Sequence, residues 1–485
     1  MTVNRNDFIY MIMAVGFAVA GVMVISNPDA LIGLYFAAAM LGIGLVMAIY
    51  IKPSLGADIL IIAVFTNISR TFTDNGLPSV IKPLVAIVAL AILVRYINAA
   101  QMPGGRDKTR GVEAFLFFYF MMVAFSYITA DNKERAAEAI IDLGKDIVII
   151  YCIFFTLRRP ETWKQSAWIV ILVTAFLSLL GVYQAFTGNY DQQFFGLARA
   201  LKDVSTNSTT YRLAGPIKEP NMWGQVVVAV VPLVLFRIIY ERRMRMRLLG
   251  VGILGILLIE ILNTYSRGAY LGLVFVSGLV LLSQRPHPLI WFAGVATVVL
   301  VFPFLPSSYT DRFETITLLN SDGIYQEASF RGRTSKILTG LIMFSNNPIL
   351  GVGAGNYPNN YQKYTIDVGL ERASGEQDPH SLYVQILAET GILGGITFLG
   401  FASLLLINFS RSIQSIKNFM AYQSWLPWLY AIQISVIGYL FTSLFLHGGY
   451  IRFYWILVAL ALAAIQLTEE SLIDPDQKHL LELPV

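Results

Sequence analysis

The chain has 485 residues, of which 56% are apolar and 14% charged, with a mean hydropathy of +0.62. A soluble domain carries nearer a quarter charged residues and a disordered chain needs the opposite balance, so the composition belongs to a membrane protein. A net charge of +4 is too small to point to a nucleic-acid partner, and the single cysteine, Cys152, excludes an internal disulfide framework and a cysteine-based metal site.

A helix needs about 20 mainly apolar residues to cross the hydrocarbon core. In chain order the apolar runs predict spans at 8–25, 30–51, 56–69, 79–97, 112–130, 138–157 and 165–186. They continue at 221–240, 247–263, 267–284, 288–304, 381–408, 427–446 and 450–466. The first is read as a spanning helix rather than a removed signal peptide, because no small-residue cleavage site follows it. The expected fold is an all-α, polytopic membrane helical bundle of about 12–14 transmembrane helices. The run at 56–69 is short enough to be re-entrant or interfacial.

Sidedness follows from the short loops, since cytoplasmic connections are enriched in Lys and Arg. Arg95, Arg106, Lys108 and Arg110 form one cluster, and Arg158, Arg159 and Lys164 the next. Arg237, Arg242, Arg243, Arg245 and Arg247 form the densest, followed by Arg411 and Lys417. Intervening connections hold little uncompensated positive charge. Both termini are therefore expected in the cytoplasm.

Two long segments on the other side, about 187–220 and 305–380, break the alternation. They hold Arg199, Lys202, Arg212, Lys218, Arg312, Arg331, Arg333, Lys336, Lys363 and Arg372. Loops of that length are uncommon unless they carry function, and outward cations beside a membrane fit an anionic ligand such as a lipid phosphate. Within the second segment, Ser329–Phe344 reads as a helix: Ile337, Leu338, Leu341 and Ile342 recur at helical spacing, with Arg331 and Lys336 nearer its start. An interfacial helix offering its cations to headgroups and plain packing on the bundle both fit that pattern.

Three constellations could carry chemistry. Asp378-Pro379-His380-Ser381 precedes the twelfth apolar run, and Asp before Pro reads as an N-cap followed by a first-turn proline. His380 would then sit at a positive helix end, which helps keep an imidazole neutral, as a general base must be. Arg267, in Tyr265-Ser266-Arg267-Gly268, lies at the outer mouth of a membrane helix, where it can snorkel to headgroups or bind a phosphate through both arms. Arg331-Gly332-Arg333-Thr334-Ser335-Lys336 packs three cations into six residues. Gly351-Val352-Gly353-Ala354-Gly355 lacks the strand–turn–helix setting of a nucleotide loop and reads as a tight turn. Asp142, Lys145 and Asp146 are spaced to neutralise one another, whereas Glu260 and Glu389 are intramembrane acids with no evident partner. No His, Asp and Glu set has metal-site spacing, so the chemistry is expected to be metal-independent.

Asn346-Asn347-Pro348-Ile349-Leu350-Gly351-Val352-Gly353-Ala354-Gly355-Asn356-Tyr357 and the block from His380 through Glu389 to Gly394 resemble two signature stretches of the O-antigen ligase and O-antigen polymerase superfamily. Ser266-Arg267-Gly268 and Gly215-Pro216 with Pro220-Asn221 complete the likeness, which covers roughly residues 205–400. The resemblance implies a GT-C-type membrane glycosyltransferase in the bacterial inner membrane with its site on the periplasmic face. Its donor would be a glycan on undecaprenyl (polyprenyl) pyrophosphate, and its acceptor a hydroxyl of a glycan, of lipid A-core or of a protein. No nucleotide or metal cofactor is implied.

By position, the resemblance makes His380, Arg267 and Arg331 catalytic, with Arg333 an equal candidate for the second pyrophosphate ligand. Arg333, Lys336, Arg212, Lys218 and Glu389 would line the substrate site. The chain divides accordingly into N-terminal membrane helices (1–200), a catalytic region (201–410) including the loop 305–380, C-terminal membrane helices (411–467) and a polar tail (468–485). A transporter of a small anion or a lipid-linked sugar is the alternative for the same composition.

Overall fold

The computed structural model describes residues 42–74, 76, 78–99, 107–202, 210–284, 328–366, 368, 375–419, 422–446, 448 and 452–473. The expected spans at 8–25 and 288–304, the start of that at 30–51, and the polar tail beyond 473 lie outside the described residues. What is described is an all-α membrane bundle with one small hairpin.

Helices run α1 (Gly42–Ile51), α2 (Ser54–Phe65), α3 (Ile68–Asp74), α4 (Ile81–Ala99), α5 (Asp107–Phe125), α6 (Lys133–Thr156) and α7 (Pro160–Thr187). Then come α8 (Pro220–Tyr240), α9 (Met244–Asn263), α10 (Arg267–Gln284), α11 (Ala328–Asn346) and α12 (Tyr357–Thr365). The last three are α13 (Leu382–Ile416), α14 (Leu426–Thr442) and α15 (Arg452–Ile473). Strands β1 (Ala200–Lys202) and β2 (Tyr211–Leu213) pair antiparallel between α7 and α8, with Leu201 opposite Arg212.

Six described helices are long and apolar enough to cross a membrane, and the pair α2–α3 passes the same test only together, bent by 50° at its break as a broken span or a re-entrant loop is. The short third run is therefore a broken segment rather than one straight helix. Its break falls at Asn67, whose backbone is left-handed (φ 47°) and whose side chain donates to the Pro216 carbonyl at 3.1 Å.

α8 and α15 are apolar all round and buried along nearly their whole length, as helices at the centre of a bundle must be. The outer helices bury one side only. On α7, Leu172, Phe176, Leu179, Tyr183 and Phe186 form an exposed apolar stripe, the lipid-facing side of a peripheral span.

Some charges inside the bundle are paired across helices. Lys145 bonds Asp142, but Asp146 reaches outside the expected trio, to Arg452 Nε at 3.3 Å on α15. The intrahelical neutralisation read from sequence thus includes a second helix.

A smaller core sits at one end of the bundle, where Met343, Val352, Tyr357, Tyr361, Tyr364 and Ala388 join α11, α12 and the start of α13. Asn356 ties this layer to the α5–α6 turn: its Oδ1 accepts from Asn132 N at 2.7 Å, and its Nδ2 donates to Asn132 O at 3.1 Å and to Ala354 O at 2.9 Å. Asn356→Ala is expected to cost about 2–3 kcal/mol, because a fully buried side chain loses three hydrogen bonds and the Asn132 N–H loses its partner. Thermal unfolding in detergent measures this, and an unchanged midpoint would contradict it.

Candidate functional site

The twelfth expected span is not a uniform helix. α13 is 35 residues long, about 52 Å and well over the hydrocarbon thickness, and it is interrupted at Gly391 (φ 66°, ψ −164°). That backbone region is open essentially to glycine alone. The interruption frees carbonyls of the preceding turn, and the Gly351–Gly355 loop fills them: Val352 N donates to Ala388 O at 2.9 Å and Gly353 N to Glu389 O at 3.0 Å. Ile392 N answers by donating to Pro348 O at 2.8 Å.

Gly351 (φ 68°) makes this approach possible, since a Cβ there would lie 2.3 Å from the Glu389 carbonyl carbon. The tight turn expected from the glycines is therefore also a plug for the helix break. Glu389, 1% exposed, accepts from Tyr357 N at 3.3 Å and from Gln385 Nε2 at 3.4 Å, fastening α12 to α13.

His380 does not lie in the first turn of α13. The helix begins at Leu382, with Ser381 as its extended N-cap, and His380 itself is left-handed (φ 52°). Asp378 is not the cap, because the left-handed residue between it and Ser381 turns the chain before the helix starts. A non-glycine residue in that region costs about 1–3 kcal/mol and is kept only where its surroundings enforce it.

The enforcement is visible. Leu382 N donates to Ser443 O at 3.0 Å, and Gln385 Oε1 accepts from Gly448 N at 3.1 Å, pinning the start of α13 to the end of α14. Lys336 Nζ lies 3.4 Å from His380 Nε2. Lys336 is placed in turn by Tyr357, whose hydroxyl donates to the Lys336 carbonyl at 2.5 Å. Burial, with Tyr361, Asp378 and Glu389 nearby, raises the Tyr357 pKa and keeps that hydroxyl protonated.

α11 buries Gly332, Ser335, Thr339, Gly340 and Met343 against α12 and α13 and leaves Leu338 and Leu341 exposed. Its apolar side is thus the outward one, and its small polar side is packed. Close contact requires it: a Cβ on Gly340 would meet Val384 Cγ1 at 2.4 Å. Arg333 is half-buried one turn before Lys336, and Arg331 lies in the first turn.

Arg267, 9% exposed, opens α10 after Tyr265, a second left-handed residue (φ 49°). A Cβ on Gly268 would lie 3.3 Å from Phe445 Cβ, so this turn packs on the same end of α14 that holds the start of α13. The 442–448 turn is therefore the common neighbour of the Arg267 and His380 segments.

Arg212 caps the end of α9. Its Nε donates to Thr264 O at 2.9 Å, and its Nη2 to Asn221 Oδ1 at 2.9 Å and to Tyr265 O at 3.5 Å. A lysine cannot reproduce that fork. Arg212→Lys is accordingly expected to lower activity about as far as Arg212→Ala, roughly tenfold, the value of a charged hydrogen bond. Wild-type activity in the lysine variant would show that charge alone suffices. Lys218, also left-handed, pairs with Asp74 at 2.8 Å, as does Arg199 at 2.7 Å, so these two cations are engaged with α3.

Residues 252–399 match the family model described as O-antigen ligase, and this stretch contains Arg267, Arg333, Lys336, His380 and Glu389. This stretch of the chain is similar to the O-antigen ligase family. No curated protein matches the chain.

The matched stretch begins within α9 and ends within α13, so Arg212, Asn221 and the α14 turn that supports both key segments fall outside it. Sequence reasoning gave no role to Gln385, Tyr357, Asn356 or Ser443. Each acts through a partner far along the chain, and all but Ser443 stood in the two signature stretches without an assigned role. Glu260 also acquires a partner, since Trp223 Nε1 donates to its Oε1 at 2.6 Å between α8 and α9.

Proposed function

We propose that the protein transfers a pre-assembled glycan from a polyprenyl pyrophosphate to an acceptor hydroxyl at the outer face of a bacterial inner membrane, as an O-antigen ligase or a polysaccharide polymerase. The observation that carries this reading is the Lys336–His380 pair, set beside the α14 turn on which the Arg267 segment also packs, inside the stretch similar to the O-antigen ligase family.

In this reading His380 takes the proton of the acceptor hydroxyl. The acceptor oxygen then bonds to the anomeric carbon as the bond from that carbon to the pyrophosphate oxygen breaks. Lys336 and Arg267 hold the charge that gathers on the departing pyrophosphate. Arg333 is the preferred second arginine, because it lies about 60° around α11 from Lys336 while Arg331 lies about 140° away. Arg212 and Glu389 position the two turns and need not touch substrate.

Transfer from a purified lipid-linked glycan tests this directly, with a growing glycan, lipid A-core and a protein serine offered in turn. Product with one acceptor class supports the reading and assigns the acceptor. Failure with all three, in protein that accumulates solute in liposomes, would replace it with transport.

A further inference from the structure

α8 carries Asn221 beside the Arg212 cap at one end and Arg237 at the other, about 24 Å further along its axis. Arg237 is therefore on the membrane face opposite His380. It is 6% exposed, and its guanidinium carbon lies 3.7 Å from the centroid of the Trp428 ring. Trp428, 2% exposed, is held edge-on by Trp163 at 5.9 Å and Trp168 at 6.3 Å.

Arg237 Nε and Nη2 and Trp428 Nε1 are enclosed, and none has an acceptor among the described residues. Lys164, half-buried at the start of α7, is near enough for the two cations to repel. Glu241, one turn on, attracts Arg237 but forms no ion pair with it among the described residues. The neighbouring Arg247 is already used, donating to Ile238 O at 3.0 Å and Ile239 O at 3.4 Å at the end of α8.

Arginine, lysine and the indole N–H are all donors. An enclosed guanidinium with no counter-ion is costly, and a second cation beside it adds to the cost. The missing component is an acceptor-rich anion. Exposed Arg242, Arg243 and Arg245 follow within eight residues of Arg237, past the end of a helix long and apolar enough to cross a membrane, where headgroups would begin.

We propose that Arg237, Trp428 and Lys164 bind the phosphate group of an anionic phospholipid in the leaflet opposite the transfer site.

The full-length protein is purified and exchanged into phosphatidylcholine nanodiscs, with phosphatidylglycerol or inorganic phosphate then supplied. Lipid retained is counted by native mass spectrometry, and thermal unfolding is followed in parallel. Wild type is expected to retain phosphatidylglycerol and to unfold at a higher temperature with it. Lys164→Gln and Trp428→Phe, which keep the ring stack, each lower its affinity roughly fivefold, the value of one headgroup contact. Lys164→Gln unfolds like wild type in phosphatidylcholine alone, which separates a lost lipid from a damaged fold. Equal phosphatidylglycerol retention by wild type and Lys164→Gln overturns the proposal. So does equal protection by inorganic phosphate, which would make the ligand a free anion.

Discussion

His380→Ala is expected to lower glycan transfer by about 10²–10⁴-fold, the range for loss of a general base, while the protein still inserts and unfolds normally. The ring sits on a turn before α13, and the fold there is held by the bonds from Leu382 N to Ser443 O and from Gly448 N to the Gln385 side chain, neither of which involves the imidazole. Removing the ring therefore removes chemistry and leaves structure. Arg267→Ala is expected to act on the same step, by about 10²–10³-fold, through the departing pyrophosphate. Polymer analysis on cell envelopes, with membrane-fraction blots for both variants, measures each effect. Normal product from both would remove the proposed mechanism.

The largest effect on folding is expected at Gly391. An alanine there must adopt a conformation essentially reserved for glycine, and its Cβ would lie 2.3 Å from Ile349 O and 2.7 Å from Leu350 N. Backbone atoms on both sides leave nothing flexible to yield. Gly391→Ala should cost about 3–5 kcal/mol, from strain and from expelling the 348–353 loop, whose loss leaves buried carbonyls unpaired. The expected readout is a sharp fall in folded protein recovered from membranes. Gly252→Ala is the control, since that glycine has open space where its Cβ would stand. Equal yields of the two variants would show that the loop does not need its present seat.

The membrane architecture was legible because lipid imposes it: each crossing must be long, apolar and internally hydrogen-bonded, and the runs at 165–186, 221–240 and 247–263 announce themselves. The break at Gly391 was hidden by the same signal, since apolar residues continue through it and its partner loop lies about 40 residues earlier. The proposed N-cap at Asp378 failed on one left-handed residue, His380, a conformation set by what holds the segment rather than by the tetrapeptide. α11 was read with the correct extent, but a soluble rule would bury Leu338 and Leu341, and here both face outward while Ser335 and Thr339 are packed. Arg267 and His380 were both picked out from the chain. Lys336 beside His380, 44 positions away, required the fold. Arg237 belonged to a loop cluster by its neighbours in sequence and proves to be enclosed beneath a tryptophan.

The plugged helix break also orders the protein's birth. Val352 and Gly353 are synthesised before Ala388 and Glu389 exist, so their N–H groups wait for acceptors that arrive 36 residues later. When those acceptors emerge, the interrupted helix enters a lipid environment with its own ladder incomplete, a state the bilayer penalises until the earlier loop folds back onto it. Insertion of α13 and closure of the outer layer are thus one event. A chain stalled before residue 391 would hold every apolar segment that precedes α13 and still lack the seat that fixes the 348–353 loop.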